Sequence, residues 1–246
     1  MNLDKYPIKP DGLYRLQRAD FDEIAETLLS QKYPQVLEYP QRIDIEHLAK
    51  EELYLEISYD SITPDGKVLG MIAFSDLQFE TLDHLGNIKI INIEEGTILI
   101  DDSLRKGYMA GRERFTIAHE VSHWILHRTY YSPNKQHYNF CIQQKSRGVN
   151  NLNSTIAQYA QRQSSKENEE YWIENQADRL AAALLMPRKT FVEASLALFR
   201  KHNVNTDYII NDSSIEHQII YALSRIFDVS KSATKIRMEN LGLLRK

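Results

Sequence analysis

The segment Arg114-Phe-Thr-Ile-Ala-His-Glu-Val-Ser-His-Trp-Ile-Leu-His127 decides how this chain is read. It contains His119-Glu120-Val121-Ser122-His123, an H-E-x-x-H within a run that is apolar nearly all round (Phe115, Ile117, Ala118, Val121, Trp124, Ile125, Leu126). Such a run predicts a buried helix. Two His four apart on a helix lie on one side, about 6 Å apart along the axis. Both rings can then reach one ion, with Glu120 beside whatever water that ion carries. This is the layout of a zinc peptidase, with His119 and His123 as metal ligands and Glu120 as the catalytic base. The competing reading is a buried helix with two hydrogen-bonded His.

A catalytic zinc usually takes a third protein ligand. A metzincin would place a third His where Thr129 stands, so that pattern fails. The alternative is a carboxylate from a second helix. Residues 170–187, Glu-Tyr-Trp-Ile-Glu-Asn-Gln-Ala-Asp-Arg-Leu-Ala-Ala-Ala-Leu-Leu-Met-Pro, predict one, with Ala177, Ala181, Ala182 and Leu185 as a small-residue face and Pro187 as its stop. Glu174 opens a Glu-x-x-x-Asp pair on it and is the expected third ligand. Asp178 is expected to accept from the far nitrogen of His119 or His123, which fixes the tautomer. A solvated acidic face is the plain alternative for both. His127 reads as a packing residue or as support behind the ligands.

Composition bounds the rest. With 26% charged and 42% apolar residues, a folded chain is expected. A net charge of −4 argues against general nucleic-acid affinity. Cys141 is the single cysteine, so no internal disulfide can form and a thiolate metal site is disfavoured. No apolar leader and no long apolar run occur, so no membrane partner and a cytoplasmic protein are expected.

Taken in order, residues 1–19 read as an arm or loop. Asp20 and Glu23 suggest a capping box for a helix that Pro34 ends, and Asp44 caps a short helix through Lys50. Strands are expected at 53–59, 68–74, 88–93 and 97–101, in one small, mostly antiparallel sheet. Residues 129–169 are a long polar insertion, with a short helix near 152–162 and a role as lid or mobile loop. Helices follow at 215–227 and 230–238, with Ser230 as N-cap. The class is α+β: a domain over 20–190 and a helical segment over 191–246.

The two motifs together, Arg114-Phe-Thr-Ile-Ala-His-Glu-Val-Ser-His and Glu174-Asn-Gln-Ala-Asp-Arg-Leu-Ala-Ala-Ala-Leu-Leu-Met-Pro187, resemble the ImmA/IrrE metallo-endopeptidases (gluzincin-like, DUF955). The likeness covers roughly residues 20–190. It implies a zincin-like fold whose sheet packs on the H-E-x-x-H and E-x-x-x-D helices. It also implies Zn2+ (or another divalent metal) on His119, His123 and Glu174, and catalysis by Glu120. The 129–169 insertion looks longer than the family's usual connection. The substrate implied is an intracellular protein, a helix-turn-helix repressor whose cleavage switches on genes of a mobile element or stress response. Residues 214–246 resemble the helix-turn-helix that often follows in this family. Over 222–246 six basic residues face two acids, a surplus too modest to favour DNA binding over packing on the peptidase body. Donors for a developing oxyanion are sought among His137, Tyr130, Tyr131, Tyr138 and Arg114, and Thr97–Asp101 is expected to be the sheet edge that an extended substrate joins. The competing class is a non-catalytic scaffold that binds a repressor or DNA through its C-terminal helices. A zinc amidase acting on small substrates is a third possibility that would need a closed pocket.

Overall fold

The computed structural model describes residues 3–63, 66–82, 86–131, 140–144, 164–204 and 213–244. Its helices there are α1 (Arg18–Lys32), α2 (Pro34–Glu38), α3 (Ile45–His47, continued by a π-helical turn Leu48–Glu52), α4 (Ala110–His127), α5 (Ser164–Leu185), α6 (Arg188–Lys201), α7 (Ser213–Phe227) and α8 (Lys231–Asn240). The strands are β1 (Glu56–Asp60), β2 (Val68–Ala73), β3 (Leu77–Leu82), β4 (Ile88–Ile93), β5 (Thr97–Asp101) and β6 (Phe140–Gln144).

A four-stranded sheet runs β1-β5-β2-β6. β2 is antiparallel to both β5 and β6, whereas β1 and β5 are parallel. The apolar runs of β2 and β5 follow from burial on both faces. Ile72, Ile98 and Ile100 point into the main core under the helices. Met71, Ala73 and Leu99 point the other way, onto Phe79 and Ile93. Those two belong to a separate β3–β4 hairpin, which covers the sheet's far face and leaves Ile88 and Ile90 exposed. The chain thus stacks helices, sheet and hairpin in three layers.

Several expectations change. Residues 88–93 leave the main sheet for the hairpin, whose first strand, 77–82, alternates too weakly to be read. β6 falls inside the polar 129–169 insertion, where polarity concealed it. The helix near 152–162, His137 and Tyr138 lie outside the described residues. β5 is not an edge: it is bonded to β1 on one side and β2 on the other, so no substrate strand can join it. The first helix is capped by Gln17, three residues before the expected cap, and the Asp20 carboxylate accepts from the Gln17 amide at 2.6 Å. Asp44 does cap the short helix, accepting from the His47 amide at 3.1 Å.

The C-terminal helices are fastened to the body by two buried arginines. Arg114 on α4 donates to the Ile43 carbonyl (2.8 Å) and the Asp228 carbonyl (3.0 Å). It therefore faces away from the ligands and does not supply an oxyanion donor. Gly111 lets this end of α4 meet the α7–α8 turn, since a Cβ there would stand 3.1 Å from the Ser230 nitrogen. Ser230 caps α8, its Oγ accepting from the Ala233 amide at 3.1 Å. Arg237 on α8 reaches Asp22 of α1 at 2.5 Å and the Met186 carbonyl at 2.9 Å. One of the six basic residues of the tail is thus unavailable to phosphates. Among the described residues no helix is long and apolar enough to cross a membrane.

Removing one member of a buried pair strands the other charge. Arg237→Met is expected to lower stability by about 3 kcal/mol in urea unfolding, and adding Asp22→Asn to recover part of that loss. An unchanged urea midpoint in Arg237→Met would show that the pair does not hold α8.

Candidate metal centre

α4 passes directly beneath β2. Gly70 makes this possible: a Cβ there would lie 2.5 Å from Thr116 Cγ2 and 2.9 Å from Glu120 Oε1. α5 crosses on the other side, and its Ala177 and Ala181, fully buried, bring the two helices close. Ser122 does the same from α4, its hydroxyl satisfied within the helix by the Ala118 carbonyl at 2.7 Å.

Between the helices His119, His123 and Glu174 converge, with their ligand atoms all within 4.8 Å of one another. The two Nε2 atoms are 2.8 Å apart. Glu174 Oε2 is 3.2 Å from His119 Nε2, and its Oε1 is 3.4 Å from His123 Nε2. Ligand atoms around a tetrahedral first-row metal stand roughly 3.3 Å apart, given bonds of about 2.0–2.1 Å, so these spacings fit one ion. Asp178 Oδ1 lies 3.0 Å from His119 Nδ1.

Hydrogen bonding dictates which nitrogen carries a lone pair. Gln176 donates from Nε2 to the Tyr14 carbonyl at 2.9 Å, which turns its Oε1 toward His127 Nε2 at 3.1 Å. His127 must therefore donate from Nε2 and accept at Nδ1. Its partner there is His123 Nδ1, 3.0 Å away, which must donate. His123 Nε2 is left as a lone pair aimed at Glu174 and His119. Asp178 likewise takes the Nδ1 proton of His119 and frees its Nε2. In their neutral forms both imidazoles thus present Nε2, as a metal needs; His119 gives up its second proton when a cation takes that place.

The electrostatics ask for a cation at the same point. Burial opposes a charged His119, but hydrogen bonds to Asp178 and Glu174 outweigh it and raise this group to about 10. Burial would also raise Glu174, yet His123 and His119 hold it well below the usual carboxylate range. His123 and His127 are pushed down, chiefly by burial, and stay neutral as ligation requires. Glu120 is fully buried, and neither oxygen has a hydrogen-bond partner among the described residues. Burial raises it to about 8, although the nearby Ile72 amide, short of hydrogen-bond geometry, favours the anion. An orphaned carboxyl next to this donor set is a group waiting for a water or a cation.

Gln176, the Tyr14 carbonyl and Gly70 were not foreseen. Gln176 is visible only as the middle of Glu174-Asn-Gln-Ala-Asp178, and Tyr14 belongs to the arm. Tyr130 and Tyr131 are buried at the end of α4, where Tyr131 stacks on Phe74 with ring centres 4.7 Å apart.

Two helices that offer an H-E-x-x-H and a carboxylate beneath a small sheet define a zincin-like metallopeptidase. The family model for the IrrE N-terminal-like domain, Peptidase M78, matches residues 77–239, about two thirds of the chain. The chain belongs to this ImmA/IrrE family of metallopeptidases. The match takes in α7 and nearly all of α8 along with both ligand helices. No curated protein matches the chain closely enough to count as a relative.

Loss of an outer partner typically weakens a metal site about 10–100-fold. Gln176→Ala is expected to raise the zinc dissociation constant by that factor in a chelator competition, and Gln176→Glu, which keeps an acceptor for His127, to recover most of it. Equal affinity in Gln176→Ala and wild type would mean that His123 is oriented without the relay.

Proposed function

We propose that this protein is a zinc-dependent endopeptidase that cleaves a specific intracellular protein. The observation that carries the reading is the buried Glu120 carboxyl, without a hydrogen-bond partner among the described residues, next to three groups that fit one metal ion. His119, His123 and Glu174 would hold the zinc. A bound zinc supplies Lewis acidity, acidifying a water and polarising a carbonyl. The remaining work falls to side chains. Glu120 accepts the proton of the attacking water and returns it to the leaving amine. Asp178 and the His127–Gln176 relay hold the Nδ1 protons of His119 and His123, so that each ring turns Nε2 toward the metal position. Thr116 and Gly70 pack around Glu120 and fix its position.

A protein substrate suits the rim better than a small amide does. Glu174 keeps 31% of its side chain accessible. Tyr171, three residues before it and so on the same side of α5, exposes 48% of its surface. An exposed aromatic beside the ligands offers a peptide an apolar contact outside the metal site. Family resemblance adds the finer proposal, a helix-turn-helix repressor as substrate and gene regulation as outcome. A DNA-binding scaffold is the weaker alternative, since Arg237 is buried against Asp22 and α8 packs on the body.

Glu120→Gln is expected to keep one equivalent of zinc while peptide hydrolysis falls at least 10³-fold, the upper range for loss of a positioned acid–base group being about 10⁴. Undiminished hydrolysis by that variant would remove Glu120 from the chemistry.

A further inference from the structure

A second chemically distinctive place lies away from the metal ligands. A cavity of about 190 Å3 opens between the start of α1, the outer side of α5, the α5–α6 turn and the end of α8. Arg18, Arg179, Arg188 and Arg237 line it, with Asp22 as the only carboxylate among its lining residues. That carboxylate is committed to Arg237 at 2.5 Å, and Arg188 approaches it only to 3.9 Å. Three guanidinium charges thus face the cavity in excess, in a chain whose net charge is −4.

Arg18 and Arg188 are exposed at the rim, whereas Arg237 is buried and Arg179 is half-buried with its Nε bound to Asn175 Oδ1 at 2.5 Å, which sets the plane of the fork. The surroundings of Arg179 and Arg237 work against the charges these two carry. Burial and then Arg18 depress Arg179. Burial, only partly offset by Asp22, and then Arg188 depress Arg237. α1 and α6, of 15 and 14 residues, both begin at this cavity, with Arg18 and Arg188 as their first residues. The positive ends of their dipoles add to the same field, offset at α1 by Asp20 in its first turn. Convergent like charges of this kind are unfavourable unless an anion joins them.

We propose that this cavity is an oxyanion site that takes a phosphoryl group, held by Arg18, Arg179 and Arg188. A phosphate dianion offset by three forks leaves the cavity close to neutral. Its tetrahedral oxygens give each fork an acceptor, where a carboxylate has only two oxygens. Free phosphate and the phosphate end of a small metabolite present the same group. Arg179 directly follows Asp178, so this site and the metal centre share one helix, and an anion here ties α1, α5, α6 and α8 together.

The test is calorimetric titration of the zinc-loaded full chain with sodium phosphate, against sodium chloride at equal ionic strength, paired with melting curves. Phosphate is expected to bind at one site and raise the melting temperature where chloride does not. Arg188→Gln, at a side chain 56% exposed, and Arg179→Gln/Arg188→Gln are expected to weaken binding about tenfold or more. Zinc content and circular dichroism should stay unchanged in Arg188→Gln, so the assay survives if the double variant misfolds. Glycerol phosphate and a nucleoside diphosphate separate the sources: tighter binding than inorganic phosphate marks a metabolite, equal binding marks the free ion. The proposal is overturned if phosphate behaves like chloride, or if its binding is the same in wild type and Arg188→Gln, as it would be for an anion seated on the zinc.

Discussion

Two buried imidazoles and one partly buried carboxylate are held within a few ångströms of each other, and the rest of the structure is built to tolerate this. Such a cluster is unfavourable on its own terms, because buried polar groups need partners and buried charges need counter-charges. The molecule meets the first need by running hydrogen bonds outward, from His119 to Asp178 and from His123 through His127 and Gln176 to the Tyr14 carbonyl. A cation held by His119, His123 and Glu174 would meet the second need.

That constraint explains features of the fold that look incidental. α4 and α5 can close on the ligands only because Ala177, Ala181 and Ser122 keep their interface thin. The N-terminal arm, which makes no other obvious contribution to the site, ends the relay with a backbone carbonyl. Gly70 is fixed by Thr116 and Glu120 beneath it, and a side chain there would have to displace the catalytic candidate. The two buried arginines extend the same logic: Arg114 and Arg237 lock the C-terminal helices onto the layer that carries both ligand helices. The tail is thereby part of the packing, consistent with a family match that runs into α8.

The metal-centre residues were legible because their chemistry is tied to local periodicity. His119 and His123 share a helical face by spacing alone, and Glu174 and Asp178 repeat that spacing on a helix marked by its alanines. Tertiary partners left no such trace. Gln176 is one polar residue among several, and its role depends on a carbonyl 162 residues away. The strand order was also hidden. Nothing in Thr97-Ile-Leu-Ile-Asp101 distinguishes a central strand from an edge, and β6 is a run within a polar insertion whose pairing to β2 no pattern announces. The basic count over the tail misled for a related reason, since charge summed along a chain does not reveal that Arg237 points inward to Asp22.

The account rests on Glu174 completing the coordination of a metal from a second helix. Metal analysis of purified wild type and Glu174→Ala, with circular dichroism to show that both are folded, tests this most directly. About one zinc per chain in wild type and a loss of at least tenfold in retained metal in the variant are predicted. Equal, stoichiometric zinc in both would contradict it.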